Sequence, residues 1–320
     1  MSRVLRKVET EPGTVASPHP RGSKRRHGFP SVLSAYLQLT KPRIVLLLLI
    51  TTVPAMILAR RGVPSLWLTL ATLFGGTMSA AGANAINQYV DRDIDEVMTR
   101  TRRRPLPARA IEPTRALVFG ILLGIAGFVW LAFLVNLLSA LLSTAALLFY
   151  VFVYTLWLKR STPQNIVIGG AAGAAPAIVG WAAVTGKVEW PAVVLFAIVF
   201  VWTPPHFWAL SLRYQGDYAM ARVPMLPVVA GREVTTRQIL AYSMVLLVVS
   251  LVLWPVAGTG LIYPVAALSL GGMFVAKAVH LRARATTAAA MSLFRYSIVY
   301  LALLFGAVAL DTLVKTRVIW

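Results

Sequence analysis

Residues 65–96 read SLWLTLATLFGGTMSAAGANAINQYVDRDIDE. Residues 65–86 carry no charged side chain, whereas residues 91–96 hold four of the eleven acids in the chain. An uncharged run of that length crosses the hydrocarbon core of a bilayer as a helix. Carboxylates next to such a phase are costly and are seldom placed there without partners. Asn87, Asp91 and Asp95 are spaced i, i+4, i+8. If the helix continues, each step rises about 6 Å and turns about 40° past a full revolution. The three oxygen-bearing side chains then share one stripe at the helix mouth, and Asp93 points away from it. Oxygen-only ligation of this kind suits Mg²⁺ rather than zinc or copper.

The same apolar texture recurs along the chain. Of 320 residues, 58% are hydrophobic and 13% charged, and bilayer-length uncharged runs repeat almost to the C-terminus. An all-α polytopic membrane protein is expected, because only helices or closed barrels satisfy the backbone in lipid. Nine transmembrane helices are predicted at residues 44–59, 65–87, 115–135, 137–158, 165–184, 190–211, 239–256, 260–278 and 294–314. They make residues 31–320 a single transmembrane domain in the lipid bilayer. The apolar stretch 29–39 is expected to lie in the interface, with Pro42 in the first turn of the helix that follows. Residues 1–30 are polar and aperiodic and read as a disordered cytoplasmic tail. They lack the apolar centre of a signal peptide, and Glu9 and Glu11 count against a transit peptide. With no cysteine in the chain, disulfides, thiolate metal sites and cysteine nucleophiles are excluded.

The net charge of +20 follows the loops. With nine crossings, 26 of the 31 Lys and Arg residues fall on one side, which puts the N-terminus in the cytoplasm and the C-terminus outside. Basic loops therefore account for the charge, and no nucleic-acid partner is expected. The two longest connections, residues 88–114 and 212–238, fall on that cytoplasmic side together. The chemistry is expected there.

Mg²⁺ seldom sits in an all-protein cage and usually bridges one or two carboxylates to substrate phosphates. The run Arg100-Thr101-Arg102-Arg103-Arg104 follows the acidic stripe directly. It reads either as a clamp on phosphoryl oxygens or as a set of topology determinants on a solvated loop. Asp217 in the second connection either faces the same metal–phosphate site from the opposite wall or pairs locally with Arg213 or Arg222. His206, after Pro204 and Pro205, has three open roles: to ligate iron, to move protons, or to satisfy a carbonyl freed by the prolines. The run of Gly and Ala from Gly169 to Pro176 lets helices approach closely and leaves room for a flat ligand.

Thr40-Lys41-Pro42-Arg43, and Asn87-x3-Asp91-x3-Asp95 with Arg100-Thr101-x2-Arg104-Pro105-Leu106, resemble the UbiA superfamily of intramembrane prenyltransferases. Motifs of the second half resemble its haem-farnesylating branch. These are Tyr154-Thr155-x2-Leu158-Lys159-Arg160, Pro204-Pro205-His206-Phe207, Asp217-Tyr218-x3-Arg222-Val223-Pro224 and Phe294-x-Tyr296-Ser297. Quinone-type members carry a second Asp-x3-Asp motif, but Arg213 stands four positions before Asp217 here. That departure puts a complete second Mg²⁺ site in doubt and favours the haem branch.

The resemblance implies a nine-helix UbiA-type bundle around a lipid-accessible cavity. It implies transfer of the farnesyl group of farnesyl diphosphate to a vinyl group of haem b, which is substrate and not cofactor. Mg²⁺, bound with the diphosphate, would be held by Asn87, Asp91, Asp95 and Asp217. Lys41, Arg43, Arg100, Arg104, Lys159 and Arg213 would bind the diphosphate, while His206, Tyr214 and Tyr218 would face the haem. Residence in a bacterial plasma membrane is implied too, with a downstream haem A synthase or oxidase assembly factors as partners. The rivals are an aromatic, quinone-precursor prenyltransferase and a non-enzymatic transporter or chaperone. A transporter would hold its acids near mid-membrane on broken helices, not at helix mouths on one side.

Overall fold

A hydrocarbon phase offers backbone groups no partner beyond their own segment, so the apolar runs close their hydrogen bonds as helices. The computed structural model describes residues 32–318, and within them not the side chains of residues 43, 44, 46–49 and 315–318. The expected tail, residues 1–30, lies outside the described residues. The helices are α1 (Val32–Thr40), α2 (Pro42–Arg60), α3 (Leu66–Val90), the short α4 (Arg92–Val97), α5 (Pro113–Leu134) and α6 (Leu137–Ser161). They continue with α7 (Asn165–Thr185), α8 (Trp190–Arg213), the short α9 (Gln215–Met220) and α10 (Leu226–Val229), α11 (Gly231–Ala257), α12 (Ile262–Arg284) and α13 (Thr287–Val318).

Eight of these helices, among the described residues, are long and apolar enough to cross a membrane, and the protein is an integral membrane protein. The remaining expected span, residues 44–59, coincides with α2, a helix of 19 residues whose described apolar part is only Ile50–Arg60. Two helices begin earlier than hydropathy indicates. α11 starts at Gly231, because a helix continues through polar residues past the apolar run that hydropathy marks, and α13 starts at Thr287, on the short, alanine-rich stretch before Phe294. α1 covers the expected interfacial stretch from Val32 and packs one face inward: Ala35 and Leu39 are buried, while Val32, Leu33 and Leu37 are exposed.

Two features of packing place the site. Gly75 and Gly82 on α3 face Gly120, Gly124 and Gly127 on α5, so these two backbones run almost in contact. A Cβ on Gly82 would lie 2.6 Å from the Gly120 carbonyl oxygen, closer than atoms tolerate. Small residues at such crossings are how membrane helices associate, since lipid supplies no hydrophobic drive between them. The largest buried cluster lies among α7, α8, α11, α12 and α13 and holds Trp202, Phe274, Tyr300 and Phe305. Within it Tyr263 donates to the Ser250 carbonyl at 2.7 Å, and the Ser250 and Tyr300 hydroxyls meet at 2.8 Å, whereas Trp208 Nε1 is buried without a hydrogen-bond partner.

Residues 149–158 of α6 form a π-helix, where the expected span was read with α-helical spacing. Runs of i→i+5 bonding are rare and gather at functional positions. Here Thr155 Oγ1 donates to the Tyr150 carbonyl at 2.8 Å, and the Tyr150 and Tyr154 rings stack at 5.3 Å.

The glycine crossing gives a direct test. Gly82→Val should lower stability by about 1–3 kcal/mol, the usual cost of overpacking, seen as a lower melting temperature in detergent. Gly272→Ala, with nothing within 4 Å of its added Cβ, should be neutral or slightly stabilising. Equal effects of the two substitutions would refute the close α3–α5 approach.

Candidate active site

α3 ends at Val90, and α4 begins at Arg92. The i, i+4 ladder nevertheless survives the break: Asp91 N donates to the Asn87 carbonyl at 2.9 Å and Asp95 N to the Asp91 carbonyl at 2.8 Å. Asn87, Asp91 and Asp95 therefore keep their common stripe, and all three are buried. Buried charge must be matched, and each member of the stripe has its cation. Lys41 Nζ donates to Asn87 Oδ1 at 2.9 Å. Lys159 Nζ pairs with Asp91 Oδ2. Arg104 Nη1 bonds both oxygens of Asp95, at 2.9 and 2.8 Å. Asn87 Nδ2 also donates to Asp91 Oδ2 at 2.6 Å and to Thr155 Oγ1 at 3.2 Å, which ties the stripe to the π-helical turn.

The three cations arrive by different routes. Lys41 occupies the break between α1 and α2 with φ 50°, a left-handed conformation unusual for a residue with a side chain. Such strain costs on the order of 1–3 kcal/mol and is kept where the surroundings impose it. Lys159 follows directly on the π-helix, and Arg104 comes from the turn-rich segment after α4. Burial lowers the Lys41 ammonium from its ordinary value to about 7, and the neighbouring Arg104 and Lys159 push in the same direction.

Beneath this rim lies a cavity of about 510 Å³. Lys41, Asn87, Asp95, Arg100, Arg104 and Lys159 line its charged end. Below them, one wall is small residues of α3 (Gly76, Ala80, Ala83), and the Gly169–Pro176 run of α7 lines it too. Another wall is aromatic: Trp202, His206 and Phe207 of α8 with Phe294 of α13. Four cations and two carboxylates converge at the rim, so it has a net attraction for an anion.

The stripe fits a divalent cation in one specific respect. Asp91 Oδ1 is buried and accepts no hydrogen bond, with only the Arg160 guanidinium 3.8 Å away. An orphaned carboxylate oxygen inside a structure calls for an explanation, and a metal ligand is one. Among the described residues no three His, Asp or Glu side chains gather into a metal site. A cation here would need oxygens from a bound substrate to complete its shell.

Other expected residues divide. Tyr218 is buried and lines the cavity. Arg100 joins the two long connections: its guanidinium lies 5.3 Å from the Tyr214 ring centroid, its Nη2 meets the Tyr218 hydroxyl at 3.3 Å, and its backbone N donates to Asp217 Oδ2 at 3.3 Å. Asp217 is thereby engaged with the backbone of the first connection and is not among the cavity-lining residues. Arg213 is exposed and lies over Tyr214 at 5.8 Å; neither lines the cavity. The Arg43 side chain lies outside the described residues. Asp93 is exposed and pairs with Arg160 at 2.7 Å through both of its oxygens, away from the stripe.

Sequence reasoning assigned no role to Tyr150, Trp202 or Ser297. Tyr150 reaches the cavity from the π-helix, which leaves no trace in hydropathy, and Trp202 looks like any core aromatic. The Ser297 carbonyl accepts from Trp202 Nε1 at 2.8 Å, and its hydroxyl meets His206 Nδ1 at 2.6 Å. Thus His206 does not cap a carbonyl freed by Pro204 or Pro205 through that nitrogen.

Comparison with known proteins agrees with this architecture. Residues 48–306 match the model of the UbiA prenyltransferase family. The chain is 59% identical over 278 residues to a protoheme IX farnesyltransferase of Parafrankia sp. strain EAN1pec, covering 86% of this chain and 89% of that one. Among solved structures, a digeranylgeranylglyceryl phosphate synthase matches with a TM-score of 0.73 at 19% identity, over 88% of this chain and 99% of that chain. A UbiA homologue from Archaeoglobus fulgidus, bound to DMAPP and Mg²⁺, matches with a TM-score of 0.58 at 16% identity, over 86% and 99%.

The Lys159–Asp91 pair is testable without substrate. Lys159→Met should destabilise the protein by about 3–5 kcal/mol, because it strands a buried carboxylate. The double variant Lys159→Met/Asp91→Asn should recover much of that loss, and chemical unfolding in detergent measures both. A double variant as unstable as the sum of the single ones would show that the two residues are not coupled.

Proposed function

This chain belongs to the UbiA prenyltransferase family, and we propose that it transfers the farnesyl group of farnesyl diphosphate to a vinyl group of haem b. The observation that carries the reading is an anion-seeking rim set directly on an apolar cavity, in a chain 54–59% identical to three curated protoheme IX farnesyltransferases.

Lys41, Arg100, Arg104 and Lys159 hold the diphosphate, with Arg104 and Lys159 turning from the carboxylates towards phosphoryl oxygens. Asn87, Asp91 and Asp95 would hold Mg²⁺, a role that the unpartnered Asp91 Oδ1 supports; a UbiA homologue of the same fold binds Mg²⁺ with DMAPP. When bound, that ion neutralises charge developing on the departing diphosphate. The allylic C–O bond breaks and its electron pair leaves with the diphosphate. The apolar walls exclude water from the resulting allylic cation until the vinyl π electrons attack it. Water then adds to the cation formed on the former vinyl group and loses a proton to solvent, leaving a hydroxyethylfarnesyl side chain. The farnesyl chain suits the narrow wall of small residues on α3, and the flat porphyrin suits the aromatic wall that carries His206. Tyr218 lies where both substrates meet the rim. Asp217 serves the site through its hold on Arg100, and Arg213 and Tyr214 act from the periphery.

Counted over nine crossings, the excess of basic residues supports a rim on the cytoplasmic face of a bacterial plasma membrane and a C-terminus outside. A product haem carrying a farnesyl chain would pass to a haem A synthase or to oxidase assembly factors.

The stripe separates this reading from a structural one. Asp91→Asn should cut product formation by about a hundredfold or more, a loss typical of removing one transition-state contact. Glu96→Gln, an exposed acid five residues along, should stay within about twofold of the starting rate. Chromatography of haem extracts from membranes reads both. Near-normal turnover by Asp91→Asn in folded protein would defeat the assignment.

A further inference from the structure

Two adjacent glycines on α3 answer to different demands. A Cβ on Gly75 would lie 2.6 Å from Leu131 Cγ on α5, so that glycine serves the helix crossing. A Cβ on Gly76 would meet nothing within 4 Å, and its backbone is ordinary helix. Neither packing nor conformation calls for glycine there, yet glycine inside a helix costs about 1 kcal/mol against alanine. The open space in front of Gly76 belongs to the cavity, which this residue lines.

Its place along α3 gives that space a meaning. Asn87, Ala83, Ala80, Gly76 and Thr72 all line the cavity. Gly76 comes eleven positions before Asn87, which is three turns and about 20° of rotation, so the two share a face about 16 Å apart. Ala80 lies between them, about 10 Å from Asn87. Beyond Gly76 the cavity ends. Among the described residues, none of α3 before Thr72 and none of α7 after Val179 lines it. Thr52 and Val179, which do line it, also take part in the closure. A Cβ on Gly180 would lie 2.7 Å from the Thr52 carbonyl oxygen, and Ser139 Oγ donates to the Val179 carbonyl at 3.5 Å.

A prenyl chain hung from the rim has a definite reach. An extended chain advances about 1.2 Å per bond, or about 5 Å per isoprene unit. Two units therefore end near Ala80, about 10 Å down, whereas three reach about 14 Å, in front of Gly76. We infer that Gly76 is a specificity-determining residue, whose lack of a side chain leaves room for the last isoprene unit of a three-unit chain. This rests on the proposed function, which supplies the prenyl diphosphate, and adds to it the feature that favours farnesyl over geranyl.

Competition between two donors tests the inference. Purified protein receives haem b, Mg²⁺ and an equal mixture of geranyl and farnesyl diphosphate, and mass spectrometry reads both haem products. The unaltered protein should make chiefly the farnesyl product. Gly76→Leu should shift the product ratio about tenfold or more towards geranyl, since even one methylene in an apolar pocket discriminates about that strongly. Gly76→Ala should move the ratio the same way by less. Gly272→Leu, at an exposed position of α12 outside the cavity, should leave it within about twofold. An unchanged ratio in Gly76→Leu, or equal loss of both products from folded protein, overturns the inference while the function stands. Should Gly76→Leu fail to fold, Gly76→Ala decides, and no shift towards geranyl overturns the inference equally. If the unaltered protein transfers neither group to haem, the function fails and takes this inference with it.

Discussion

Asp91 and Asp95 are buried at the edge of a bundle built to sit in hydrocarbon, and the cost of leaving two such charges unmatched shapes everything around them. Lys159, Arg104 and, through Asn87, Lys41 supply the match. None of the three comes from the helix that carries the acids. The carboxylates therefore gather α2, α6 and the segment after α4 around the end of α3. The strained backbone at Lys41 and the π-helical turn before Lys159 are the local distortions that this gathering requires. Because the cations outnumber the acids, the assembled rim is balanced only when an anion joins it.

The cavity below has the opposite character, and the contrast is what the chemistry needs. A diphosphate has to be held by charge, whereas an allylic cation has to be kept from water. Stacking a charged rim on apolar walls puts both demands within one molecule's length. The walls differ as well: α3 offers small side chains at helical spacing, and α8 with α13 offers aromatic faces. Arg100 and Asp217 tie the two long connections over this end, and Ile94, Met98, Tyr218, Val223 and Met225 close beneath them as an apolar cluster.

The helices were legible because hydrocarbon leaves the backbone no other solution, and the stripe was legible because its i, i+4 ladder persists across the break at Asp91. What the stripe touches was not. Lys41 reaches Asn87 through a left-handed turn, and Lys159 reaches Asp91 through ten residues of π-helix; neither has a hydropathy signature. Asp217 reads as a second metal-side acid from its position in the chain, yet the fold of its loop turns it onto the Arg100 backbone. Ser297 lies 91 positions from His206, and only the packing of α13 on α8 brings the two together. The early start of α11 escaped for a related reason: hydropathy reports where lipid would lie, not where a helix stops.

The central claim is that the rim and the cavity together join a farnesyl group to haem. Incubation of the purified protein with haem b and farnesyl diphosphate, with Mg²⁺ or with a chelator, followed by mass spectrometry of the extracted haem, tests it most directly. The account predicts a hydroxyethylfarnesyl haem that forms with Mg²⁺ and not with the chelator. Unmodified haem in both reactions, from a preparation that instead prenylates 4-hydroxybenzoate, would contradict it.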